Sequence, residues 1–275
     1  MYATIGLIIR KELVFRDYYI CNPTWDNRLE FYSMTVPNGL FTSFLRKINT
    51  KSSVIIKTKT NGELTLATLK PGKRLFLFCS DIGITPAISI ISEPETYSNF
   101  NEVVVVISCK HTQELSYFNS KLKQLAKETK IKPYARGKLR FYQSVTQEPY
   151  PYSDDITWLI RSGTLIADLR IHTFNKMDRF MVCGHQQTAV NNIVLLKDLG
   201  YDEGTVKHPG DFTYEKKFIN PILNLSPGSD VLLGRIKTEH PNQQLQLPSP
   251  EGTVSRKTII TSKVYSRGVW MLEAN

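Results

Sequence analysis

Cysteine is scarce and never paired in this chain. Four occur among 275 residues, Cys21, Cys79, Cys109 and Cys183, and none makes a Cys-x-x-Cys pair. That excludes the common zinc spacings and a disulfide framework, and predicts reduced thiols in a cytoplasmic protein. Histidine is as sparse. His111, His172, His185, His208 and His240 stand too far apart for a metal-ligand spacing, so no metal site is expected. Long apolar runs are missing too. The longest, residues 103–107, has the length of a strand and falls far short of the ~20 residues that cross a bilayer. The opening Met1-Tyr2-Ala3-Thr4-Ile5-Gly6 has no basic segment leading into an apolar stretch, so no secretory leader is expected. Neither a Gly-x-Ser-x-Gly elbow nor a Walker loop occurs, which argues against hydrolase and P-loop chemistry.

What remains is an ordinary folded composition, 41% hydrophobic and 11% aromatic, which excludes wholesale disorder. The length suits two modest domains, each with a core. Lysine and arginine number 35 against 25 acids, a net charge of +10. The charge is dispersed. Its densest stretch, residues 121–138, reads as a solvated helix face and loop. An acidic protein partner or a phosphorylated ligand fits such a surface. Nucleic acid ranks last, since no binding motif accompanies the charge.

Residues 1–72 read as antiparallel β structure. Short runs at 18–21, 29–36, 53–58 and 64–66 are separated by Asn22-Pro23, Pro37-Asn38-Gly39 and Asn61-Gly62. Asn61-Gly62 predicts a hairpin. After Pro71-Gly72-Lys73 the rhythm changes. Strands are expected at 74–80, 102–109, 138–145 and 180–183, with helices at 86–91, 113–129, 156–162 and 188–199. Alternating strands and helices predict a parallel, doubly wound sheet whose ligand lies at the carboxyl ends of the strands. Residues 220–275 form an appendage of unknown role, with Pro221, Pro227, Pro241, Pro248 and Pro250 and strand-like runs at 230–233 and 257–261. The expected fold is therefore α+β, with a partial antiparallel barrel over 1–72 and a Rossmann-like α/β domain over 73–219.

Motifs narrow the function. Arg16-Asp17-Tyr18-Tyr19 precedes Asn22-Pro23-Thr24-Trp25-Asp26, then Leu29-Glu30-Phe31-Tyr32-Ser33 and Pro37-Asn38-Gly39-Leu40-Phe41-Thr42-Ser43. Further on come Leu69-Lys70-Pro71-Gly72, Glu114-Leu115 with Tyr117, Cys183-Gly184 and Pro209-Gly210-Asp211-Phe212 with Phe218. In order and spacing this resembles the bacterial branch of the ferredoxin/flavodoxin–NADP reductase family across residues 1–219.

The resemblance implies FAD and NADP as cofactors. It places Arg16 on the FAD pyrophosphate, Tyr18 against the isoalloxazine, Tyr19 at the flavin N5 position, and Gly39, Thr42 and Ser43 around the second phosphate. Gly83 falls in the loop that meets the nicotinamide nucleotide, Lys110 at the 2′-phosphate, and Cys183 with Gly184 in the nicotinamide pocket. Phe218 belongs to the segment that returns to the flavin. Tyr18, Cys183 and Phe218 are the catalytic candidates. A planar cation suits a diphosphate, and an aromatic face suits a flat heterocycle.

Five departures accompany the match. The strand pair with which the family begins is absent ahead of Gly6-Leu7, which predicts an open barrel edge. Tyr19 replaces a serine. Asp81-Ile82-Gly83 replaces Gly-Thr-Gly. Gln147 and Asp155 stand where arginines are expected. Lys217 stands where alanine is common. The expected activity is hydride transfer from NADPH to flavin, then single-electron delivery to ferredoxin or flavodoxin by a monomer that binds neither membrane nor nucleic acid. The departures keep open a catalytically silent homologue that serves as a binding module.

Overall fold

Alternation of side chains marks the first strand. In strand β1, Tyr2–Ile9, the side chains of Ala3, Ile5, Leu7 and Ile9 are buried while Ile8 is exposed, the two-residue period of a sheet with one wet face. β1 pairs antiparallel with β2, Glu12–Tyr19, from Tyr2 opposite Tyr19 to Ile9 opposite Glu12. The turn between them is Arg10-Lys11, with φ of 51° and 72°. Two left-handed residues in succession are the turn that matches strand twist, usually written with asparagine and glycine. Strand β3, Leu29–Met34, helix α1, Leu40–Leu45, and strand β4, Ile55–Lys57, follow. β4 pairs with β1. Ile5, Ile9, Phe31, Phe41 and Leu45 fill the space beneath. The computed structural model describes residues 1–34, 38–49, 52–57 and 59–218, together with the backbone of 254–255, 260–266 and 269–274.

The hairpin expected at Asn61-Gly62 does not form. Asn61 instead makes an isolated antiparallel bridge to Tyr2, and the run at 64–66 leads into a 3-10 turn, Leu66–Thr68. Three residues are too few to hold a strand without an edge to pair with.

The second half begins with β5, Arg74–Ser80, then helices α2, Ile84–Ile91, and α3, Pro94–Asn99. Next come β6, Glu102–Cys109, α4, Leu115–Leu125, α5, Lys132–Ala135, and β7, Leu139–Val145. Helices α6, Ile156–Arg161, and α7, Thr164–Asp168, lead to β8, Asp178–Cys183, α8, Gln186–Asp198, and β9, Phe212–Tyr214. The sheet order is β7-β6-β5-β8-β9, parallel throughout. Apolar side chains bury on both faces: Leu75, Leu77 and Cys79 of β5 face one core, Phe76 and Phe78 the other. Continuous apolar runs are what a strand covered on two sides requires. The order reverses between β5 and β8, and such a sheet binds its ligand at that point.

The open edge predicted for the first half is covered. Strand β10, Val254–Ser255, pairs with β4, and strand β12, Val269–Ala274, runs antiparallel to β3 from Val269 opposite Met34 to Ala274 opposite Leu29. Strand β11, Ile260–Ser266, pairs in turn with β12. The run expected at 230–233 lies outside the described residues, as do 257–259 and 35–37.

The joint between the halves is tightly tied. Arg179, buried on β8, donates to the carbonyls of Lys70 and Pro71 at 3.0 and 2.5 Å and pairs with Asp211 at 3.3 Å. Lys70 N–H donates to the Gly210 carbonyl at 2.8 Å, and its ammonium reaches Asp202 and Asp211.

Candidate functional site

A cleft of about 580 Å³ lies between the halves, within the size range of small-molecule sites. One wall is β2, which turns Arg16, Tyr18 and Tyr19 toward it. Tyr32, Ser33 and Met34 of β3 and the start of α1 continue that wall. The opposite wall comes from the switch point of the parallel sheet: Asp81 and Ile82 after β5, Gly184 and His185 after β8. Phe218 closes one end.

The β2 wall is aromatic with a single cation. The Tyr18 ring lies 6.0 Å from Phe41, and the Arg16 guanidinium lies 6.0 Å from the same ring. Arg16 anchors itself by donating to the Phe15 carbonyl at 2.7 Å and is otherwise exposed. Tyr18 and Ser33 hydroxyls meet at 3.4 Å. Burial pushes the Tyr18 phenol up, so it stays protonated at neutral pH. Helix α1 starts at Gly39, whose carbonyl accepts from the Thr42 and Ser43 hydroxyls at 3.2 and 2.7 Å.

Tyr19 lies deeper. Its ring packs 4.7 Å from Phe218, which also meets Tyr2 edge-on at 5.7 Å. Desolvation raises the Tyr19 phenol far out of the physiological range. The segment carrying Phe218 is tied to the first half by three contacts. Buried Glu215 accepts the Glu63 N–H at 3.1 Å, Lys216 reaches Glu63 at 3.6 Å, and Lys217 pairs with Asp17 at 3.3 Å.

The switch-point wall depends on close backbone approach. A Cβ on Gly83 would collide with the Cys183 carbonyl, and one on Gly184 with Ser80. The loops after β5 and β8 interlock, and His185 N–H donates to the Ser80 hydroxyl at 3.1 Å. Asp81 holds φ at 46°, a left-handed conformation that costs a non-glycine residue energy. The carboxyl of Glu114, which also accepts the His111 N–H at 3.0 Å, is pushed up by burial and by Asp81.

Arg16, Tyr18, Tyr19, Gly39, Thr42, Gly184 and Phe218 thus share one cleft. Others stand back from it. Ser43 turns to Gly39, and Gly83 lies beneath the Cys183 backbone. The Cys183 thiol is buried in the sheet, 3.7 Å from Cys79 Sγ and 3.0 Å from the Gly83 carbonyl. Lys110 is exposed beyond the end of β6, and its carbonyl accepts the Gln147 N–H at 3.0 Å. Asp155 caps α6, accepting the Trp158 N–H at 3.0 Å. Among the described residues no group of three metal-ligating side chains exists, and no helix is long and apolar enough to cross a membrane.

Spacing did not reveal Glu148. Its carboxylate accepts from Thr112 N–H at 2.9 Å and Thr112 Oγ1 at 2.7 Å, and sits 2.9 Å from His111 Nδ1. These bonds hold its pKa below the ordinary carboxylate value. The partners lie 36 and 37 positions away, beyond any motif window.

No family model matches the chain. It is 32% identical over 237 residues to ferredoxin–NADP reductase A of Sorangium cellulosum (strain So ce56), covering 84% of this chain and 85% of that one. It is 36% identical over 220 residues to the flavodoxin/ferredoxin–NADP reductase of Rhodobacter capsulatus, covering 79% and 82%. Its fold matches a ferredoxin NADP+ reductase from Neisseria gonorrhoeae solved with bound FAD and NADP, with a TM-score of 0.69 at 22% identity over 78% of this chain and 84% of that one. Sequence kinship along most of the chain, with a cleft at the sheet's switch point facing an aromatic antiparallel wall, places this protein in the bacterial ferredoxin/flavodoxin–NADP reductase family of oxidoreductases.

Proposed function

We propose that this chain binds FAD in the cleft and carries electrons from a reduced nicotinamide nucleotide to a small acidic carrier, a ferredoxin or flavodoxin. One observation carries the reading: the cleft joins Arg16, Tyr18 and Phe41 to the switch point at Gly184. A diphosphate needs a cation, and a flat ring system needs aromatic walls. Both occur here on adjacent elements. The residues therefore fit a flavin dinucleotide.

Bound FAD would supply the conversion of a two-electron hydride donor into a one-electron reductant. The protein's share is placement. Arg16 holds diphosphate. Tyr18, kept neutral by burial, offers a ring face and a hydroxyl that Ser33 orients. Phe218, clamped through Glu215 and Lys217, covers the end of the cleft and excludes water. Gly184 lets a second planar ring approach the backbone at the switch point. The net charge of +10 speeds encounter with an acidic carrier.

Purified protein tests this directly. A flavin absorption spectrum with dye reduction driven by NADH or NADPH is the expected result. Flavin without turnover supports the binding-module reading, and a colourless protein that takes up no added FAD overturns both.

A further inference from the structure

Two buried thiols meet at the switch point of the parallel sheet. Cys79 stands one residue from the end of β5, and Cys183 is the last residue of β8. The register places them directly opposite each other. Both side chains belong to the same core layer, and their Sγ atoms lie 3.7 Å apart. Opposed residues on neighbouring strands stand ~4.8 Å apart. That falls inside the roughly 4.4–6.8 Å between Cα atoms that a disulfide bridges. The approach that remains is within reach of side-chain rotation. The other two cysteines are not so placed. Cys79 faces Ile107 on β6, which leaves Cys109 two positions out of register, and Cys21 follows β2 in the antiparallel half.

The two thiols differ in access. Cys183 keeps 4% of its surface open and adjoins Gly184 on the cleft wall, while Cys79 is fully buried. Burial and the neighbouring Cys183 push the Cys79 thiol well up, so it holds its proton. A small oxidant entering by the cleft therefore meets Cys183 first.

We propose that Cys79 and Cys183 are a peroxide-reactive pair that closes into a reversible disulfide and so weakens nicotinamide nucleotide binding at the switch point. The chemistry takes two steps. The Cys183 sulfur attacks one oxygen of hydrogen peroxide, the O–O bond breaks, and a sulfenic acid and water result. The Cys79 sulfur then attacks the Cys183 sulfur. The S–S bond forms, the S–O bond breaks, and the departing hydroxide takes the Cys79 proton and leaves as water. Two thiols are oxidised and one peroxide is reduced to two waters. A dithiol such as dithiothreitol reverses the bond by exchange.

The effect reaches the cleft through the backbone. The Cys183 thiol donates to the Gly83 carbonyl at 3.0 Å, and turning toward Cys79 removes that donor. The loops on either side have no slack, since a Cβ on Gly83 or Gly184 would already collide with Cys183 or Ser80. A displacement at Cys183 is passed on to Gly184, which lines the cleft. The thiol chemistry stands without a cofactor, and the effect on binding rests on the reductase reading.

The test treats the purified full chain, wild type and Cys79→Ser, with hydrogen peroxide. Each is then mapped by non-reducing peptide mass spectrometry and titrated with NADH and NADPH. Wild type is expected to yield a linked Cys79–Cys183 peptide and to lose two of its four free thiols. Both nucleotides should then bind several-fold more weakly, with recovery after dithiothreitol. Cys79→Ser is expected to bind as wild type before treatment, to give no linked peptide, and to stop at a Cys183 sulfenic acid that dimedone traps. Wild-type mapping decides the thiol step whether or not the variant folds. No linked peptide in wild type, a link between other cysteines, or a link that leaves nucleotide binding unchanged overturns the proposal. If neither nucleotide binds reduced wild type, the reductase reading fails and takes the effect on binding with it, while the linked peptide still decides the thiol pair.

Discussion

The two halves of this molecule solve the pairing problem in opposite ways. In the α/β half β5, β6 and β7 pair in chain order through helical crossovers and β8 returns to β5, and the strand interiors are apolar on both faces, as in Val103, Val104, Val105 and Val106 of β6. In the antiparallel half β3 finds its partner at the far end of the chain, where Met34 lies opposite Val269. The α/β half is specified mostly by neighbours in the chain, the antiparallel half also by a pairing between its third strand and residues 269–274. Loop-closure entropy opposes the second kind more strongly. The lesson is that stability and cofactor retention can fail separately here.

The sharpest way to break the α/β half is to strip the partner from Arg74. Its guanidinium meets fully buried Asp178 through two 2.7 Å bonds at the start of β5 and β8. Removing one member of a buried pair costs about 3–5 kcal/mol, so Asp178→Ala should collapse the melting transition of the whole protein. An Asp178→Ala protein that melts within a degree of wild type would show that the halves do not depend on that sheet. The antiparallel half is broken instead from its far end. Prolines at both Met271 and Leu272, opposite Tyr32 and Phe31, remove ladder donors and should cost on the order of 2–3 kcal/mol. Hydrogen exchange should then rise across Leu29–Met34 and stay slow across Glu102–Cys109.

Two smaller changes sharpen the contrast by acting on the cleft that the halves share. Arg16→Ala should weaken FAD roughly tenfold or more, since a hydrogen bond to a charged group contributes ~1.5–3 kcal/mol, with no change in the melting of the flavin-free protein. Unchanged FAD affinity in equilibrium dialysis would remove Arg16 from the diphosphate. Asp81→Gly should raise stability by about 1 kcal/mol, because glycine adopts a φ of 46° without strain. A lower melting temperature would mean that the Asp81 carboxyl repays its own backbone.

Much of this was legible in the residues. The buried runs of β5, β6 and β8 stand out because two-sided burial leaves no polar alternation to confuse with a loop. The cleft residues of β2 and α1 were legible through the resemblance in order and spacing. What escaped has physical causes. The β1–β2 turn is Arg10-Lys11, a left-handed pair without asparagine or glycine, and only the long register on either side enforces it. Strand β9 has three residues, too short for any period to register. Glu148 and His111 meet only because β6 and β7 are neighbours. Strand β12 carries no mark in its own sequence that its partner is β3.

Arg179 has a consequence for how ligands enter. Its guanidinium holds the carbonyls of Lys70 and Pro71 while Lys70 itself is tied to Gly210, Asp202 and Asp211. That welds the linker to the α/β half, and Lys121 with Glu30, Trp25 with the Ser92 carbonyl and Lys217 with Asp17 bridge the halves, so swinging them apart would require all of these to break together. Phe218 is only half-buried, and its ring turns about single bonds. Packed against Tyr2 and Tyr19, that ring sets how wide its end of the cleft stands between two halves held in fixed register.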